Sequence, residues 1–149
     1  MKTPTPEIRQ ALYRRLLCAL PIQEITETDV AWPNVAFDPQ VNRMYLAPFC
    51  LFGESEMAAL SDTGFEKIQG IFQITVYGIL HTGEARLERI AADLTDLFRT
   101  GSRIAVPSLP SLSITKAYRS SLTTETGGEM PRPSIVVSAH WQHYVPRGE

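Results

Sequence analysis

Between Lys67 and Gly101 the apolar period changes from two to 3.6, which predicts a strand followed directly by a helix. Ile68, Gly70, Phe72, Ile74, Val76 and Leu80 fall on one face of the strand. The other face carries Gln69, Gln73, Thr75 and Tyr77, with Ile71 and Ile79 as apolar exceptions. One sealed face and one partly wet face are the pattern of an antiparallel sheet covered on a single side. Thr82-Gly83-Glu84 then opens the helix, in which Leu87, Ile90, Ala91, Leu94, Leu97 and Phe98 make one stripe. Arg86, Glu88, Arg89, Asp93 and Asp96 take the opposite side. Arg99 suits the negative end of the helix dipole, and Gly101 supplies a left-handed stop.

The remaining segments fit around this unit. Thr5-Pro6-Glu7 starts a helix with a capping hydroxyl, a tolerated proline and a carboxylate at the positive end. Its stripe is Ile8, Ala11, Leu12, Leu16, Ala19 and Leu20, and Pro21 disfavours helical geometry at Leu20, so the helix spans about 6–20. Val30 to Pro39 reads as a short extended piece broken by turns. Met44 to Phe52 is an aromatic-rich strand that Pro48 assigns to a sheet edge or a bulge. Residues 54–63 read as a polar loop, and Ser102 to Ser113, with Pro107 and Pro110, as an irregular connection. Leu112 to Leu122 is a strand, Thr123 to Pro133 a long hairpin loop around Gly127-Gly128, and Ile135 to Val145 a closing strand. The order predicts an α+β fold, with an antiparallel or mixed sheet packed on two helices. At 149 residues it should form a single domain, residues 1–149.

The residues that carry chemistry are poorly placed for it. His140 and His143 sit three apart on a strand, so they point to opposite faces and cannot share an ion. No G-x-S-x-G elbow occurs, and Gly127-Gly128 lacks the lysine and helix of a phosphate loop. Cys18 and Cys50 lie in apolar surroundings as free thiols, and Glu54 with Glu56 reads as a solvated loop pair. The expectation is therefore no enzyme, no cofactor and no metal.

Net charge is −2 with no run of like charges, which argues against specific nucleic-acid binding. No apolar run is long enough for a membrane span, and no signal-peptide pattern precedes the first helix, so a cytoplasmic location is expected. What the sequence offers instead is contact surface. Tyr45, Phe49, Ile71, Ile79, Tyr77 and Tyr144 stand on faces that should be wet, and contiguous apolar residues there mark an interface. Arg119, Glu125 and Arg132, in or beside the 123–133 loop, are further candidates for contact with a partner.

Two blocks together carry a resemblance. The first is Val30-Ala31-Trp32-Pro33-Asn34-Val35-Ala36-Phe37-Asp38-Pro39 followed by Met44-Tyr45-Leu46. The second is Gly70-Ile71-Phe72-Gln73-Ile74-Thr75-Val76-Tyr77, then Gly83 and the helix with Ala91, Asp93, Leu94 and Phe98 leading to Gly101. The pairing resembles the small tail terminator, or tail completion, proteins of long-tailed bacteriophages and prophages. That resemblance implies a ring-forming subunit, typically a hexamer, at the head-proximal end of the tail tube. Its implied partners are further copies of itself, the tail tube protein and the head-tail connector protein. Its implied location is the virion tail, reached by assembly in the bacterial host cytoplasm, and it implies no catalytic residues. The alternatives are a head-tail joining (neck) protein and a small intracellular ligand-binding domain.

Overall fold

The computed structural model describes the backbone of residues 5–40, 42–57, 65–107, 109–124 and 132–146, with side chains at all of these except 54–57, 65 and 146. Two helices, α1 (Thr5–Ala19) and α2 (Ala85–Leu97), accompany β1 (Tyr45–Met57), β2 (Phe65–Tyr77), β3 (Arg103–Val106), β4 (Leu109–Arg119), β5 (Thr123–Thr124) and β6 (Pro133–Pro146). The sheet runs β1-β2-β6-β4-β3, with the short β5 also paired to β6. Every neighbouring pair of strands is antiparallel, so the chain is α+β with an antiparallel sheet.

Strict alternation builds the core face. Ile68, Phe72, Ile74 and Val76 of β2 stand beside Ile135, Val137, Ala139, Trp141 and Val145 of β6, all buried. Ile8, Leu12 and Leu16 of α1 and Leu87, Ile90, Ala91 and Leu94 of α2 belong to the same cluster. α2 packs on β2, β4 and β6, and α1 packs on β3. Aromatic rings tie these layers together. Phe72 meets Phe98 edge-on at 5.3 Å and Tyr13 at 5.8 Å. At Gly70 the strand leaves no room for a side chain, because a Cβ would fall on the Leu51 carbonyl and within 2.6 Å of Trp141 Cζ2.

Four boundaries differ from the sequence reading. β2 ends at Tyr77, so Leu80 is exposed, and Ile79 packs partly against the core instead of standing on the wet face. The corner that follows is a turn with His81 at φ 66° and Gly83 at φ 86°, in which Thr82 Oγ1 donates to the Ile79 carbonyl at 2.6 Å. Residues 54–57, read as loop, continue β1 after a register shift between Phe52 and Ser55. The stretch 102–113, read as irregular, is the β3–β4 hairpin. Its prolines are tolerated because Pro107 lies in the turn and Pro110 precedes the first residue of β4 that pairs with β6, Ser113. The expected edge position of the Met44–Phe52 strand does hold, since β1 is an outermost strand. Part of the 123–133 loop is β5, and its residues 125–131, Glu125 included, lie outside the described residues.

Candidate assembly surface

Alternation that sends one row of each strand inward sends the other row to the opposite side of the sheet. That row is Tyr45, Ala47, Phe49 and Leu51 on β1, then Ile71, Gln73, Thr75 and Tyr77 on β2. On β6 it is Val136, Ser138, His140, Gln142 and Tyr144. No described helix packs there. Phe49 is 50% exposed and Tyr144 41%, and Leu51 and Tyr118 are likewise open. None of these positions carries a carboxylate. Few strong charges among many aromatic rings is the composition of an interface core rather than of ordinary protein surface.

The aromatic pairs of this face are ordered by cross-strand register. Tyr45 lies opposite Tyr77, and their rings stack at 4.7 Å with 18° between planes. Phe37 adds a tilted contact to Tyr45 at 5.0 Å. Farther along, Tyr118 Oη and His140 Nε2 are 3.2 Å apart, and Lys116 Nζ sits 5.1 Å over the Tyr118 ring. Tyr45, Phe49, Ile71 and Tyr77, singled out from the sequence, therefore share one side of one hairpin.

The arginines behave differently. Arg132, a candidate contact residue from the sequence, is buried in the subunit. Its Nη1 donates to the carbonyls of Arg43 at 2.7 Å and Gly78 at 3.2 Å, and its Nη2 donates to the Gln40 carbonyl. The guanidinium also lies 5.1 Å over the Tyr45 ring. Three carbonyl dipoles and a π-face hold the charge, so Arg132 is an internal anchor that supports the outer face from behind. Arg119 is exposed, and its Nη1 donates 2.8 Å to the Glu88 carbonyl on α2. Near the anchor, Arg43 grips Asp29 with Nε at 2.9 Å and Nη2 at 2.6 Å, which holds the Asp29 carboxyl below its usual range. The sequence reading missed this pair, although Asp29 three residues after Thr26 is a capping-box spacing.

The titratable core groups are inert. Burial pushes the Cys50 thiol up to about 11, which leaves it protonated and unreactive. His143 is fully buried on the core face, while His140 lies on the outer face. Among the described residues no group of three His, Cys, Asp or Glu is placed to hold a metal, and no helix is long and apolar enough to cross a membrane.

A small α+β subunit whose sheet is helix-packed on one face and aromatic on the other is, in class, a scaffold that presents surface. The sequence pattern of the phage tail terminator protein family matches residues 7–134, and the chain belongs to that family. It is thus a phage tail component, structural rather than catalytic, that acts with other tail proteins. One solved structure superposes with a TM-score of 0.67, at 22% identity, over 99% of each chain, which shows a shared fold. No curated protein matches the sequence.

Proposed function

We propose that this protein forms a hexameric ring that caps the tail tube and joins it to the head side. The observation that carries this reading is the sheet face that no described helix covers, where a stacked Tyr45–Tyr77 pair adjoins the exposed Phe49 and Leu51 without a carboxylate in the row. Such a patch on a small subunit calls for a partner. Membership of the tail terminator family supports seeking that partner among other copies, the tube protein and the connector. The free edges of the sheet favour contact through faces and turns rather than strand-to-strand extension. β1 is blunted by Pro48 and by the irregularity at Phe52/Ser55, and β3 is only four residues long. Each subunit contact in a closed ring can be modest, because assembly on the tube makes the contacts multivalent.

Light scattering and negative-stain imaging of the purified protein, alone and with tail tubes, test the reading. A discrete ring, or rings seated on tube ends, is expected. Monomers that ignore the tube would overturn it, and binding to the connector without tubes would favour the neck role instead.

A further inference from the structure

Cross-strand register divides the outer sheet face into an apolar half and a basic half. Leu51, Ile71, His140 and Lys116 form one row across β1, β2, β6 and β4. A second row runs from Gln69 through Gln142 and Ser113 to Arg103 on β3. The described charged side chains of these outer rows, Lys67, Arg103 and Lys116, are all cationic, although the chain carries 16 acidic side chains against 14 basic ones. Arg103 and Lys116 are exposed and have no carboxylate partner among the described residues. At the β1 edge, Phe49 of the outer face also lines an open groove of about 490 Å³. The charged residue of that lining is again a cation, Arg9, whose guanidinium lies 5.7 Å over the Phe52 ring. Face and groove are therefore continuous through Phe49.

A second copy is a poor cover for this surface. Face-to-face pairing sets the basic half against its own equivalent or against the apolar half, which either opposes like charges or buries them unpaired. Head-to-tail pairing needs a matching apolar patch elsewhere on the chain. Of the exposed large apolar side chains described, Phe49, Leu51, Tyr118 and Tyr144 lie on the face itself, and Val35 lines the groove. The remaining one, Leu80, lies in the corner after β2, and a single leucine cannot match a patch of this extent.

Resting on the reading of this face as the assembly surface, we infer that it docks a different tail protein, through a surface that is apolar and carries carboxylates. Phe49 is the centre of the contact. Lys116 and Arg103 on one side, and Arg9 on the other, meet the carboxylates, and contacts between copies fall to other surfaces. Charges so placed speed encounter and reject wrong partners, so the association should weaken as salt rises.

Titration of the protein onto isolated tail tubes and, separately, onto connector complexes, at low and high salt, tests this. Lys116→Glu/Arg103→Glu is compared with Arg14→Glu/Arg89→Glu, which reverses as much charge on exposed positions of the two helices. The face variant should bind one of the two probes roughly tenfold more weakly at low salt, with a shallower salt dependence. The helix variant and the conservative Lys116→Arg/Arg103→Lys should bind like the wild type, and light scattering should give all of them the wild-type particle size. Equal weakening by the face and helix variants would overturn the inference, as would wild-type binding that ignores salt, or binding to neither probe. A face variant that loses the ring while binding the probe normally would assign the face to contact between copies instead. A monomer that binds tubes with the expected charge dependence would overturn the ring and leave the docking surface standing.

Discussion

The two faces of β2 share a backbone and differ in almost everything else. Phe72, Ile74 and Val76 point into a closed cluster with α2 and Phe98, where no atom can be removed without leaving a void. Ile71, Gln73, Thr75 and Tyr77, one residue out of step, point to a side that no described helix covers. The inner row is a packing solution for one chain. The outer row is ordered by stacking and by the buried Arg132 behind Tyr45, yet it leaves apolar area exposed. Stability and function are thus separated by a side-chain period of two, and substitutions on the two rows should separate them as well.

The largest effects belong to the inner row. Phe72→Ala removes a ring touched by Tyr13 and Phe98 and should cost about 2–5 kcal/mol in urea unfolding, with Leu94→Ala in the same range. Gly70→Ala should cost at least ~1–3 kcal/mol, since its Cβ would meet backbone at Leu51, which cannot swing away. Arg132→Met strands carbonyls at positions 40, 43 and 78 and should cost about 1.5–3 kcal/mol. If Arg132 were instead a surface contact, the variant would unfold like the wild type, and only assembly would suffer. Phe49→Ser and Tyr144→Ser sit at the other extreme. Unfolding should shift by no more than about 0.5 kcal/mol, while rings or tube binding decline in scattering and pull-down measurements. Equal losses of stability from both rows would erase the distinction.

The same distinction explains what was legible in the sequence. The α2 stripe and the β6 alternation declare themselves because each residue's neighbours in sequence fix its face. Arg132 could not be read this way. Its partners, at positions 40, 43 and 78, are 54 or more residues away, and an arginine beside a Gly-rich segment looks solvated until the fold brings carbonyls to it. The β3–β4 hairpin was hidden by its prolines, which read as breakers although neither denies a bond to β6. The outer-face residues Tyr45, Phe49, Ile71 and Tyr77 were found by parity alone. That no described helix covers the face depends on where both helices pack, and no single strand encodes that.

The effect with the sharpest signature lies in the core. His143 has its Nε2 2.6 Å from the Pro110 carbonyl, so Nε2 carries the proton, and Nδ1 is buried with no hydrogen-bond partner among the described residues. Charging the ring would place a second proton where nothing accepts it, and burial accordingly lowers the folded pKa. The unfolded imidazole takes up a proton near pH 6.5, whereas the folded one resists until the pH is lower. Stability from this residue is therefore fully present above about 6.5 and declines below it, by at most ~1.4 kcal/mol per pH unit for one proton. Asp29 acts lower on the scale. Its pKa is depressed by Arg43, so its contribution is present above about 3.9 and is lost as the pH falls farther. Chemical denaturation between pH 7.5 and 5 should show the first decline in the wild type and its removal in His143→Gln, whatever the variant's absolute stability. A wild-type curve as flat as the variant's would mean that the ring is not held neutral by the core, and that the β3–β4 turn on which it bears is looser than the Pro110 contact implies.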